Sequence, residues 1–113
     1  MVNSREAEEK FDEALEACFT AADEVGDTGR PSITGSNLGP MLKDLADWLR
    51  GSEAVQILGK GRSGLYSMNN SLAQASAGEN WRDFRRILDE QVCPLLGRLA
   101  VKLRKANREQ SDG

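Results

Sequence analysis

Apolar residues recur along most of this chain at the spacing of a single α-helical face, and this periodicity constrains the fold more than any other feature. The first row is Phe11, Leu15, Cys18, Ala22 and Val25, at intervals of four, three, four and three residues. Such a row forms one stripe on a helix of 3.6 residues per turn. It predicts an amphipathic helix over residues 4–25, ended by Gly26 and Pro31.

Two further stripes predict two more long helices. Over residues 37–50 the stripe is Leu38, Leu42, Leu45 and Leu49, and over residues 80–108 it is Trp81, Phe84, Leu88, Val92, Leu95, Leu99 and Leu103. Trp48 adjoins the second stripe, where its large surface favours packing against a neighbouring helix. Pro94 interrupts the third stripe and lacks a backbone N–H, so we expect a kink or a break there.

The length of the chain limits how these helices can be arranged. A chain of 113 residues is the size of one ordinary domain with one core. We therefore predict a mostly α fold, a small bundle of three long amphipathic helices that forms a single domain over residues 1–113. The ends, at about residues 1–3 and 109–113, are expected to fray.

The segment 52–79 has two interpretations. In the first it is helical, with a short helix over residues 53–58 and another that begins at Ser63 and places Leu65, Met68, Leu72 and Ala75 on one face. In the second, residues 55–58 and 65–68 are strands, joined into a hairpin by the glycine-rich GKGRSG.

The second interpretation resembles the winged-helix regulators at two places. ITGSNLGPML is similar to the start of their helix-turn-helix, and LGKGRSGLYSM is similar to their wing. The resemblance implies a DNA-binding α+β domain with a basic wing at residues 59–64, and residues 80–108 as a C-terminal dimerisation helix. Only 21 residues separate Ile33 from Val55, whereas two helices and their connections need roughly 25 to 30. The helical interpretation is therefore favoured.

GKGRSG also matches the dinucleotide-binding pattern G-x-G-x-x-G. That pattern binds a dinucleotide only between a buried strand and a helix of a parallel sheet, which a short, mostly helical chain does not supply. A simpler anion site is still compatible with the segment: a loop in which the backbone amides, Lys60 and Arg62 bind a phosphate or an acidic side chain.

The residue types disfavour most enzyme chemistry. The chain has no histidine, and Cys18 and Cys93 are 75 residues apart with no metal-ligand spacing around them. We therefore expect no catalytic residue, no metal and no cofactor, and predict that the protein is not an enzyme. The acidic, polar N-terminal sequence and the lack of any long apolar run predict a cytoplasmic protein without a membrane span.

Charge is distributed unevenly. Residues 1–28 carry nine acidic residues against two basic ones, a net charge of −7, and residues 29–113 carry thirteen basic against nine acidic, a net charge of +4. Such asymmetry suggests that contacts between oppositely charged surfaces matter. The candidate residues for binding an anion or a partner are Lys60, Arg62, Arg98, Lys102, Arg104 and Lys105.

Apolar residues outside the last stripe suggest a surface shared with another copy. These residues are Ile87, Leu96 and Val101, and they are the predicted dimer interface. The sequence therefore predicts a small, non-enzymatic, helical interaction or regulatory module with a protein partner, which self-associates as a homodimer. The alternative is a winged-helix transcriptional regulator that binds DNA.

Overall fold

A computed structural model of the protein describes residues 4–51 and 54–112, with the side chains of 5–51 and 54–109. This part of the chain is helical and contains no strand. The helices are α1 (Ser4–Thr28), α2 (Ile33–Ser36), α3 (Leu38–Leu49), α4 (Ala54–Leu58), α5 (Gly61–Ala77), α6 (Trp81–Ile87) and α7 (Cys93–Asp112). A wide helical turn of π geometry, Leu88–Val92, joins α6 to α7 and is called the π segment below.

The predicted mostly α fold is confirmed, and the detail of three long helices is not. Helix α5 has 17 residues, so it adds a fourth long helix to α1, α3 and α7. Residues 55–58 and 65–68, the strands of the alternative interpretation, lie in α4 and α5. The winged-helix alternative is therefore wrong about this segment. The wing at 59–64 is instead the short turn between α4 and α5 together with the first turn of α5.

Helix α1 does not end at Gly26 as predicted. It continues to Thr28 and ends at Gly29, whose φ of 86° is the left-handed conformation that suits glycine after a helix. Helix α7 likewise continues to Asp112, through most of the predicted C-terminal fray, whereas residues 1–3 and 113 lie outside the described residues.

Antiparallel helix pairs build the core. Helix α1 packs along α7, with Glu8 beside Arg104 at one end and Cys18 beside Cys93 further along. Helix α3 packs along α5, with Gly39 against Asn69 and Ala46 against Arg62. All these helices contribute to one apolar cluster, and the predicted stripe residues of α1, α3 and α7 lie in it or at its edge, except Val25, which is buried outside it.

The irregularity expected at Pro94 is the π segment, which lies directly before Cys93 and Pro94. Cys93 donates its backbone N–H to the carbonyl of Leu88, five residues back, and Pro94 follows in the first turn of α7. The wide turn lets the helix pass the proline, which has no N–H to donate. It also shifts the buried face. The buried side chains are Phe84, Ile87 and Leu88 up to the start of the turn, and Val92, Leu96, Leu99 and Leu103 from its end onward.

Candidate docking groove between α1 and α3

The predicted binding residue Arg62 is used inside the fold. Its Nε donates to the backbone oxygen of Ala46 at 2.8 Å, and its Nη2 donates to the hydroxyl of Tyr66 at 3.1 Å. The guanidinium also lies over the Tyr66 ring, 5.5 Å from its centre. Arg62 therefore joins α3 to α5, while Lys60, in the turn before α5, is exposed.

Tyr66 extends this connection to an acidic side chain of α3. Its hydroxyl donates to Asp47 Oδ1 at 2.6 Å, and Lys43 Nζ donates to Asp47 Oδ2 at 2.9 Å. These hydrogen bonds favour the ionised carboxylate, so the pKa of Asp47 is lowered, first by Tyr66 and then by Lys43. These polar contacts connect α3 to α5.

The basic residues of α7 divide into two sets. Arg104 pairs with two carboxylates of α1, Glu8 at 2.9 Å and Asp12 at 3.2 Å, so it holds α7 against α1. The hydrogen bonds from Asn107 and then Arg104 lower the pKa of Glu8. The other predicted binding residues on this helix are Arg98, Lys102 and Lys105, and they are exposed.

The glycines of GKGRSG have a packing role. A Cβ on Gly61 would lie 2.4 Å from Cδ2 of Leu99, and one on Gly64 would lie 3.0 Å from Cδ2 of Leu95. Both glycines let the start of α5 approach α7 closely. The segment is therefore a helix–helix contact and does not form the loop that the sequence suggested for an anion.

The three residues predicted at a dimer interface are separated by burial. Ile87 is 6% exposed and Leu96 is 0% exposed, so this chain's own core covers them. The prediction is corrected for these two, because Ile87 lies on the buried face of α6 and the π segment places Leu96 on the buried face of α7. Val101 is 60% exposed and Phe19, which the sequence analysis did not single out, is 57% exposed.

A cleft of about 300 Å³ lies between α1 and α3. Its floor is apolar and is formed by Ala14, Met41, Leu45 and Trp48, and its rim is formed by Lys10, Glu13 and Asp44. The ammonium of Lys10 lies over the Trp48 ring, 5.9 Å from its centre, so it covers one end of the cleft.

A second cleft, of about 350 Å³, continues the first along α1 towards α2, and the two share Glu13. Ala17, Gly35 and Leu38 form its apolar part, and its polar lining is Glu13, Glu16, Thr20, Glu24, Ser32 and Thr34. Glu24 is held by the backbone N–H and the hydroxyl of Ser32, at 3.3 and 3.2 Å. The two clefts together are called the docking groove below.

The sequence singled out Leu38, Leu45 and Trp48 of this groove, but only as residues that pack between helices. A signal for the rest was present: Met41, Leu45 and Trp48 recur at four and three residues along α3, while Ala14 and Ala17 are the short side chains opposite. Short side chains on one helix leave an open space beside long ones on the next. That pairing of the two helices is not visible in either stripe alone.

The thiols of Cys18 and Cys93 have raised pKa values. Burial raises the pKa of Cys18 to about 12, with a further contribution from Cys93, and burial also raises the pKa of Cys93. Both therefore stay protonated at neutral pH. Among residues 4–51 and 54–112, no group of acidic or cysteine side chains is arranged to hold a metal ion. Within the same ranges, no helix has the length and apolarity that crossing a membrane requires.

Comparison of the chain with protein-family models, with curated proteins and with solved structures finds no match.

Proposed function

We propose that this protein is a small, non-enzymatic interaction or regulatory module, which self-associates and binds a helical segment of a protein partner in the docking groove. The observation that carries the proposal is the solvent-open apolar floor of the groove, with Met41 and Trp48 half-buried between charged rims. Apolar grooves between helices are a recurrent site for amphipathic helices. The floor side chains bind by contact, since alanine, leucine, methionine and tryptophan supply no nucleophile or general base.

The length of the groove suits a helix. Its lining runs along α1 from Lys10 to Glu24, which is fifteen residues of helix or about 21 Å. An occupant helix of about four turns would match this length and place apolar side chains at i, i+3 or i+4, and i+7 on the floor.

The charge of the rim favours a basic partner. Four carboxylates line the groove against one ammonium, a net charge of −3, from Glu13, Glu16, Glu24, Asp44 and Lys10. Lys10 is already engaged with Trp48, so the carboxylates dominate what an incoming helix meets. Lysine or arginine beside the apolar anchors would steer the partner and fix its register, while apolar burial supplies most of the affinity.

A designed peptide can stand in for the partner and test the proposal. The probe is a fluorescein-labelled amphipathic peptide of about 16 residues, with leucine on one face and lysine on the others. A second peptide has glutamate in place of lysine. We expect the lysine peptide to bind with a dissociation constant of about 10 to 100 micromolar at physiological salt, and the glutamate peptide to bind at least about tenfold more weakly. Fluorescence anisotropy measures both.

A pair of variants places the binding in the groove. Met41→Lys puts a charge on the apolar floor and should weaken binding of the lysine peptide at least about tenfold, which corresponds to about 1.4 kcal/mol. Met68→Lys makes the same change at another half-buried methionine, on α5 and outside the groove lining, and should leave binding unchanged. Equal binding of the two peptides, or equal loss in the two variants, would overturn the proposed groove function.

A further inference from the structure

A second surface lies on the opposite flank of α1, where this helix meets α7. Asp12 of α1 pairs with Arg104, and Gly26 of α1 lies against Arg85 of α6, so positions 12 and 26 face that side. Phe19 is seven residues from each of them and therefore lies on the same side of the helix. Phe19 is 57% exposed, which is unusual for a phenylalanine on a helix that packs against the core.

Val101 belongs to the same surface. It lies three residues before Arg104, on the side of α7 that approaches α1, and it is 60% exposed. Gly97, one turn earlier, has no atom within 4 Å of the position its Cβ would take, so the space above it is open. Phe19, Val101 and the exposed Pro94 are thus the apolar part of one surface formed by two helices, which we call the α1/α7 face.

The charges of this face are divided between its two helices. The exposed acidic residues on this side of α1 are Glu9 and Asp12, beside the basic Arg5, and the exposed basic residues of α7 are Arg98, Lys102 and Lys105. The contacts of Glu8 with Arg104 and of Cys18 with Cys93 show that residues at the same level have numbers that sum to about 112. The acidic row and the basic row therefore lie side by side at the same height.

We infer that a second copy of this chain binds to the α1/α7 face about a two-fold axis that runs parallel to the two helices. Such an axis places α1 of each copy against α7 of the other, so that the dimer contains two contacts between an acidic row and a basic row. A two-fold axis perpendicular to the helices, in the plane of the face, would place α1 against α1 and α7 against α7. The acidic rows would then repel each other, and so would the basic rows. The face is thus complementary to itself in one orientation only. The inference rests on the self-association in the proposed function and names the surface responsible for it.

The size of the face suits a stable dimer. Helix α7 has 20 residues and is about 30 Å long, and two helices side by side are roughly 20 Å wide, so the face has an area of about 600 Å². A standard interface buries about 800 Å² of each partner, which is of the same order. The docking groove is on the other flank of α1, lined by Lys10, Ala14 and Ala17, so the dimer leaves both grooves open.

A charge exchange tests this arrangement directly. Glu9 and Lys105 have exposed side chains at the same level of the face. We expect Glu9→Lys alone and Lys105→Glu alone to raise the dissociation constant of the dimer, since each homodimer then faces like charges twice. An equimolar mixture of the two variants restores opposite charges at both contacts and should dimerise about as tightly as the natural chain. Sedimentation equilibrium at concentrations up to about 100 micromolar measures all four samples.

Substitution of the two exposed apolar residues is a second test, with Ile33 as its control. The double variant Phe19→Gln, Val101→Gln should raise the dissociation constant at least about tenfold, whereas Ile33→Gln should not. Ile33 is 84% exposed on α2, away from the face. A monomeric natural chain would overturn both this inference and the proposed self-association, while peptide binding in the groove would still be tested separately. A dimer insensitive to Phe19 and Val101, or a mixture that does not recover, would overturn the face and leave self-association standing.

Discussion

Single glycine residues decide how closely the helices of this protein approach. Gly61 and Gly39 both lie where a side chain would meet another helix, at 2.4 Å from Cδ2 of Leu99 and at 3.1 Å from the backbone oxygen of Asn69. Gly26 is also inside a helix, but there a Cβ would meet only the guanidinium of Arg85, at 3.3 Å. The same residue type therefore serves a packing role at two positions and not at the third.

This difference predicts opposite effects of one substitution. Gly61→Ala should destabilise the fold by about 1 to 3 kcal/mol, because the buried Leu99 must leave its position to admit the methyl group. Gly26→Ala should be neutral or stabilise by about 0.5 to 1 kcal/mol, since alanine is the better helix former and the Arg85 side chain can move. Urea unfolding followed by circular dichroism measures both. An equal effect of the two substitutions would contradict the close α5–α7 contact.

At the scale of the elements, the contact between α1 and α7 makes stability depend on pH. Glu8 accepts a hydrogen bond from the mostly buried Asn107 at 2.8 Å and another from Arg104, and these contacts lower its pKa in the folded state. A carboxylate whose folded pKa lies below its unfolded value stabilises the fold at neutral pH. That contribution is lost as the pH falls from the ordinary glutamate pKa of about 4.3 through the lower folded value.

Glu8→Gln therefore should reduce the free energy of unfolding at pH 7 by about 1 kcal/mol, and the deficit should shrink as the pH falls below about 4. The control Glu13→Gln removes the same charge from the groove rim of the same helix. Urea unfolding at several pH values measures the natural chain and both variants. A Glu8→Gln deficit that stays constant with pH would show that the carboxylate charge is not what joins the two helices.

The sequence was sufficient for the elements that carry long stripes. The stripes predicted α1, α3 and the run from α6 through the π segment to α7 to within a few residues at each end, because twelve or more residues of one periodicity outweigh local ambiguity. The glycine-rich segment 59–64 has two interpretations from sequence, of which the helical one is favoured only because the winged one lacks residues for its helices. A glycine suits both a hairpin tip and a close helix contact, and what requires Gly61 is Leu99, a residue 38 positions later in the chain.

The candidate sites were predicted less well, for the same reason. Arg62 was found by its charge, but its internal role depends on Ala46 and Tyr66 of packed helices. Val101 was predicted at an interface, whereas Phe19 was not, because nothing in the α1 stripe indicates that this side chain is exposed. Which face of α1 meets which helix is a property of the packed chain, so neither the groove nor the α1/α7 face could be assembled from spacing alone.

At the scale of the whole molecule, charge disfavours nucleic acid as a partner. The chain has a net charge of −3, and two of the six predicted basic binding residues, Arg62 and Arg104, are engaged within the fold. The exposed basic residues of α7 lie beside the acidic row of α1, which repels phosphate. At residues 59–64, where the winged-helix alternative predicted a basic wing, the structure has the turn before α5 and the first turn of α5.

We therefore expect no binding to a mixed-sequence DNA duplex tighter than about 10 micromolar at physiological salt, which is the range of non-specific contact. Fluorescence anisotropy at two salt concentrations measures this for the natural chain and for Lys60→Ala, Lys102→Ala, which removes two exposed positive charges. Sub-micromolar affinity that the double variant abolishes, with a steep dependence on salt, would make the protein a DNA-binding one despite its fold.

The π segment has a consequence for how this chain could be recognised among its evolutionary relatives. The buried positions on either side of it, Phe84, Ile87 and Leu88 before and Leu96, Leu99 and Leu103 after, differ by about one residue, or 100° of helix rotation, from a single continuous stripe. The segment thus behaves as a one-residue insertion that the fold has absorbed. Loss of one residue between Leu88 and Val92 would therefore restore an ordinary α-helix and leave the buried face of α7 directed at the core. A homologue with that deletion would show one continuous apolar stripe where this chain has an offset of one residue, and this difference is the mark by which to find it.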